Sequence, residues 1–202
     1  MKITLKDGSV VEYQSPITVA EAAKNLSMGL YRAACAARVD GKVVDLRTTL
    51  DHDCALEILT FADEDGQRAF NHTASHILAQ AVTHLYPQAK FAIGPAIDNG
   101  FYYDFDLPAP FTMEDLEKLE KEMAAIVKAD LSLEKFELEV PEALELMKDE
   151  PYKVELIEEH SGKGEKISFY RQGDFTDLCA GPHLMSTAPE KAIKLTSCTG
   201  SY

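Results

Sequence analysis

His72 and His76 stand four residues apart, and so, far downstream, do Cys179 and His183. In a helix that step brings two side chains onto one face, one turn apart, so the segment NHTASH would present two imidazoles side by side. Either pair alone is ordinary, since helical histidines commonly sit at a surface or beside a core. Together the four supply three imidazoles and a thiol, a donor set that suits a tetrahedral Zn²⁺ and suits proton transfer equally well. The spacing leaves both chemistries open.

Other residues with chemical potential have plainer readings of their own. Lys153, in Glu150-Pro151-Tyr152-Lys153, is one of few cations in an acidic stretch. Its physics as sequence is that of a solvated lysine whose loss would hardly affect folding. Asp177 precedes Cys179 by two residues, so in an extended segment the two share a face, although a turn or cap would also use an aspartate. Tyr102 and Tyr103 are adjacent, and strand alternation buries one while turning the other outward. Gly94, before Pro95, suits either a turn or a close approach of backbone to a ligand. His52, His84 and His160 stand alone and read as surface residues. Cys35, Cys54 and Cys198 read as small packing residues within apolar strands.

Two sets of elements must position these side chains. In the first sixty residues, KITLK and VVEY flank Asp7-Gly8-Ser9, a hairpin signal. Thr18 with Glu21 three residues on forms a capping box before a helix whose apolar face is Val19, Ala22, Ala23 and Leu26. Strands around 35–39 and 42–45 are joined by Asp40-Gly41, and another covers 55–60. Hairpin, helix and further strands in this length predict a small β-grasp, or ubiquitin-like, domain over residues 1–62. The polar run 62–66 reads as a linker. Residues 63–202 then predict an α+β domain, opening with a helix from Gln67 to Leu85 that carries Phe70, Ala74, Ile77, Leu78, Ala81 and Leu85 inward. Strands at 91–93 and 101–105 follow. A long helix capped by Thr112 and Asp115 buries Leu116, Leu119, Met123, Ile126 and Val127. A strand at 133–140, a short helix from Pro141 and a strand at 167–171 complete the reading. The fold class is α+β throughout.

Composition narrows the function. The net charge is −14, and residues 63–160 hold 22 Asp/Glu against 8 Lys/Arg. That excludes a broad basic surface of the kind that dominates non-specific grip on nucleic acid, while leaving room for contact with one RNA end. The charged start is not a secretory signal, no run is long and apolar enough to span a bilayer, and the scattered cysteines read as cytosolic thiols. The location predicted is cytoplasmic, without a membrane partner.

The ordered motifs resemble one family. MKITLKDGSVVEY with RVDGKVVDL resembles the TGS domain that begins many bacterial threonyl-tRNA synthetases. NHTASHILAQAV, FAIGPAIDNGFYYDF, EPYKVELI and FTDLCAGPHL resemble, in the same order, segments of that enzyme's editing domain, so the likeness spans essentially the whole chain. The resemblance implies hydrolysis of serine wrongly attached to threonine tRNA. It implies that His72, His76, Cys179 and His183 line the editing pocket and that Lys153 and Asp177 are the catalytic lysine and aspartate. Tyr103 would lie near the terminal adenosine, and Gly94 in the loop receiving the aminoacyl end. Ala180 departs from the family, where arginine is frequent, so no phosphate contact is expected from that position. No metal is expected at the site, although its donors would permit zinc. ATP and a further zinc are expected in an aminoacylation core that this sequence does not include, so the chain is expected not to charge tRNA. The partners implied are the 3′ aminoacyl end of threonine tRNA and the remaining synthetase domains, in an enzyme expected to be a homodimer.

Overall fold

The computed structural model describes residues 1–200. The chain forms two compact units, Met1–Thr73 with Gly181–Met185, and Ala74–Ala180 with the chain from Ser186 onward. Among the described residues no helix is long and apolar enough to cross a membrane, and no disulfide joins the cysteines.

The first unit is a β-grasp. Strands β1 (Lys2–Leu5) and β2 (Val10–Glu12) form an antiparallel hairpin. Asp7 accepts from the backbone and hydroxyl of Ser9, which tightens the turn. After β3 (Ile17–Thr18), the Thr18–Glu21 capping box starts α1 (Val19–Leu26), which buries Val19, Ala20, Ala22 and Ala23. A short helix α2 (Met28–Ala33), capped by Ser27, was not expected from the sequence; it buries no side chain, so no apolar stripe announces it. Strands β4 (Ala34–Val39) and β5 (Lys42–Val44) turn through Asp40 and Gly41, both at positive φ, as a two-residue hairpin with the strands' own twist requires. Strand β6 (Thr49–Leu50) pairs with β3, and β7 (Cys54–Thr60) fills the centre of a five-stranded sheet ordered β2-β1-β7-β4-β5. The β1–β7 pairing is parallel, and its closure requires the crossover that α1 provides.

The polar run 62–66 is not a linker. Helix α3 (Glu64–Leu85) begins within it, because Asp63 closes the preceding turn by accepting from Thr60 N while its carbonyl accepts from Gln67 N. Gly66 packs directly on β7: a Cβ there would lie 1.9 Å from the Thr60 carbonyl oxygen. Arg38 on β4 ties Glu57 on β7 to Asp65 at 2.9 Å each.

In the second unit the rest of α3 buries Ile77, Leu78, Ala81 and Val82, whereas Leu85 at its end is exposed. A hairpin follows, made of β8 (Lys90–Phe91), β9 (Ala96–Ile97), β10 (Gly100–Phe101) and β11 (Phe105–Asp106). β8 pairs with β11 and β9 with β10. The strands expected at 91–93 and 101–105 are therefore interrupted, because Ala92 and Ile93 both bond to Asp104 and bulge the ladder. Helix α4 (Met113–Lys128) carries the Thr112–Asp115 capping box and buries Leu116, Leu119, Met123 and Ile126 against α3 residues and the hairpin aromatics. Strands β12 (Leu133–Leu138), β13 (Ile167–Gln172) and β14 (Phe175–Leu178) form an antiparallel sheet. Between β12 and β13 lie α5 (Val140–Leu146) and α6 (Pro151–Ser161). The sequence did not signal α6, whose inward apolar residues are few. Cys35 and Cys54 are buried in strands as expected, but Cys198 is exposed and outside any strand.

Candidate active site

Lys153 is buried, 4% exposed, on the first turn of α6. Its Nζ lies 2.9 Å from Asp177 Oδ1 and donates to the Tyr103 hydroxyl at 3.0 Å. That hydroxyl donates in turn to Asp177 Oδ2 at 2.6 Å, and His76 Nε2 lies 3.5 Å from the same oxygen. Asp177, itself 4% exposed on β14, thus gathers a cation, a phenol and an imidazole around one carboxylate. Burial, and after it the charge of Asp177, raises the Tyr103 phenol well above its usual pKa, so it stays protonated and able to donate. The reading of Lys153 as a solvated lysine is overturned. Pro151 and Tyr152 before it are exposed, and the pocket that takes it is made by chain 50 residues away at Tyr103.

Tyr103 and Gly94 make each other possible. The Tyr103 ring stacks on Phe105 at 4.9 Å and meets Phe91 edge-on, so its hydroxyl is what it presents to polar neighbours. A Cβ on Gly94 would lie 2.0 Å from that ring. Gly94 is therefore approached closely by a side chain of this protein. Its carbonyl accepts from Ser75 Oγ at 2.8 Å, which pins the loop to α3. Tyr102 turns outward, as alternation requires.

In the first unit, His183 is fully buried and its ring stacks on that of half-buried His72, with centroids 4.3 Å apart. Three residues that sequence reasoning missed hold it. Asp45 Oδ2 accepts from His183 N, while Arg47 donates to the carbonyls of His183 and Leu184 at 3.2 and 2.7 Å. Asp45 and Arg47 pair at 3.0 Å in the loop after β5. Thr73 Oγ1 lies 3.0 Å from His183 Nδ1. Between Cys179 and His183 the chain bends at Gly181, which has φ +75 and a cis bond to Pro182.

Of the four residues singled out by spacing, His72 and His183 meet in the first unit, and His76 and Cys179 lie in the second. Three imidazoles and a thiol are a set that can hold a metal ion, and for zinc the donor chemistry fits. The lone histidines His52, His84 and His160 are all exposed, as expected. His84 is not solitary: its two ring nitrogens meet Glu122 at 2.8 Å and Asp174 at 2.9 Å. Burial disfavours its charge, but the hydrogen bonds its ring donates to the two carboxylates outweigh that and raise its pKa.

Residues 1–60 match the family model of the TGS domain. Residues 167–201 match that of the threonyl and alanyl tRNA synthetase second additional domain. The chain is 59% identical over 204 residues to a threonine–tRNA ligase of Acetivibrio thermocellus, covering all of this chain and 32% of that protein. It is 57% identical over 202 residues to one of Clostridium perfringens, covering all of this chain and 31% of that protein. Against one of Caldanaerobacter subterraneus the identity is 57% over 204 residues, again the whole chain and 32% of the relative. The chain thus spans about a third of the length of the curated relatives it matches.

Proposed function

We propose that this chain is the N-terminal part of a threonyl-tRNA synthetase, with a TGS domain over residues 1–62 and an editing domain over residues 63–202. The editing domain hydrolyses the ester that joins serine, wrongly, to threonine tRNA. The observation that carries the reading is the burial of Lys153 against Asp177. Taking two charges out of water is costly and seldom a net gain in stability, so a lysine placed there beside a tyrosine and a histidine argues for chemistry. The match of residues 167–201, which include Asp177, Cys179 and His183, supports the substrate class.

Serine lacks one methyl group of threonine. A synthetic site built for threonine gains only about 1–3 kcal/mol from that methyl, too little to keep serine out. A second pocket too tight for the methyl removes the error. Its chemistry is attack of water on the ester carbonyl, collapse of the tetrahedral oxyanion and departure of the ribose oxygen with a proton. In this reading His72 takes a proton from the water and Lys153 steadies the developing oxyanion. Asp177 holds the ammonium and the Tyr103 hydroxyl in place rather than meeting substrate itself. His76, Cys179 and His183 shape the pocket, Gly94 lets the loop close on it, and Tyr103 stands toward the terminal adenosine. Hydrolysis so described uses no metal. The tRNA grip, the ATP-dependent charging reaction with its zinc, and the homodimer contacts belong, in this proposal, to the part of the relatives' length that the chain does not match.

The test is deacylation of Ser-tRNA(Thr) beside Thr-tRNA(Thr), by this chain and by the full-length enzyme, with metal content measured in the same preparations. Release of serine with threonine retained supports the reading, and release of neither by either protein overturns it. The donor set of three histidines and a cysteine favours a second version of the same hydrolysis. If zinc is present at one per chain and activity disappears with its removal, those four residues would hold it and it would supply the activation of the attacking water.

A further inference from the structure

We infer that Thr73 is a positioning residue that keeps the proton of His183 on Nδ1, so that Nε2 carries the lone pair. Thr73 is fully buried on α3, and three groups converge on its hydroxyl oxygen. Leu184 N lies 3.0 Å away, the Ala69 carbonyl oxygen 3.3 Å, and His183 Nδ1 3.0 Å. A hydroxyl has one hydrogen and two lone pairs. An amide N–H can only donate, so Leu184 occupies one lone pair. A carbonyl can only accept, so Ala69 takes the hydrogen. What is left for His183 is the second lone pair, and Nδ1 can use it only as a donor. In the opposite tautomer the hydroxyl must turn its hydrogen to Nδ1 and give up Ala69, so the same cluster makes two bonds rather than three.

The rest of the imidazole is held so that this choice has a direction. Asp45 and Arg47 bind the backbone at His183 and Leu184, and the His72 ring lies parallel to within 27° on the His183 ring. With both backbone and ring plane set, the tautomer decides which chemistry His183 has at Nε2. With the proton on Nδ1, Nε2 accepts a proton or ligates a cation; in the other tautomer it only donates. His183 is therefore an acceptor, toward a donor group such as the hydroxyl or ammonium of an aminoacyl ester. That consequence rests on the editing reading; the tautomer does not.

The experiment is long-range ¹H–¹⁵N correlation of histidine-labelled protein, with His183 assigned by loss of its signals in His183→Gln. The expected result is a protonated Nδ1 and an unprotonated Nε2 for His183 in the parent and in Thr73→Ser, which keeps the hydroxyl. In Thr73→Val, which removes it, the Nδ1–H population falls. A parent His183 protonated at Nε2, or a tautomer unchanged in folded Thr73→Val, overturns the inference. Should Thr73→Val fail to fold, the parent spectrum alone decides. Serine deacylation in the full-length enzyme is the second readout: about a 10–100-fold loss in Thr73→Val with rescue by Thr73→Ser, the scale of a group supporting a reactive histidine. If the tautomer is as stated and the parent hydrolyses nothing, the assignment of Thr73 stands and the editing reading falls. Equal hydrolysis by parent and Thr73→Val, with the tautomer shifted, removes the acceptor role from His183.

Discussion

Lys153 and Asp177 are tolerable inside the second unit because each carries the other's counter-charge, with the Tyr103 hydroxyl hydrogen-bonded to both. Removing one charge leaves the other stranded, which typically costs about 3–5 kcal/mol. Lys153→Met should therefore lose stability on that scale in urea unfolding, contrary to the expectation for a solvated lysine. Serine hydrolysis should fall by roughly 10²-fold or more, as when a single transition-state donor is removed. The double variant with Asp177→Asn separates the two effects, since it strands no charge: stability should largely return while hydrolysis stays low. A Lys153→Met protein as stable and active as its parent would return the residue to the surface reading. His76, within reach of the same carboxylate, makes a fourth member of the group.

At the scale of elements, the hairpin from β8 to β11 works as a holder for one ring. Alternation along its second strand turns Tyr103 inward and Tyr102 outward, and Gly94 provides the gap into which the Tyr103 ring fits. Gly94→Ala would push that ring off Asp177 and Lys153. A cost of about 1–3 kcal/mol is expected, as for overpacking in a core, together with loss of hydrolysis. Gly100, in the same hairpin, has no positive φ, and a Cβ added there would meet nothing within 4 Å. Gly100→Ala should be nearly silent in thermal unfolding and deacylation. Equal effects of the two substitutions would mean that the fit around Tyr103 is not what matters.

For the molecule as a whole, Glu190 introduces a pH dependence that the acidic composition does not suggest. It is 2% exposed, neither carboxyl oxygen has a hydrogen-bond partner among the described residues, and burial pushes its pKa up to about 9. The folded state therefore holds this proton, whereas the unfolded chain releases it above the usual carboxyl value of 4.5. Between those values the unfolded state binds fewer protons, so stability falls as pH rises from about 4.5 toward about 9 and levels off beyond. Each pH unit in that window is worth about 1.4 kcal/mol. Glu190→Gln cannot ionise, so its stability relative to the parent should climb from about pH 5 to about pH 8, by on the order of 3 kcal/mol over the first two units. A parent–variant difference that stays flat over this range would show that the carboxyl is ionised or solvated in the folded protein.

What the sequence determined by itself is local. The capping boxes at Thr18–Glu21 and Thr112–Asp115 and the positive-φ turn at Asp40-Gly41 depend on residues within a few positions of each other. So do the buried face of α4 and the four-residue pairing of His72 with His76. Steric and hydrogen-bonding rules act at that range, and these features could be read in advance. The tertiary structure decided what depends on distant chain. Lys153 is buried because Tyr103 and Asp177 meet it, His84 is paired because Glu122 and Asp174 reach it, and His183 is fixed by Asp45, Arg47 and Thr73. Helix α6 was missed for the same reason, since its buried Lys153 is held by partners its own residues do not reveal, whereas the start of α3 rests on the local Asp63 turn. Burial, and with it the charge state and chemistry of a side chain, is a property of the packed neighbourhood, and no local pattern encodes which segments will supply it.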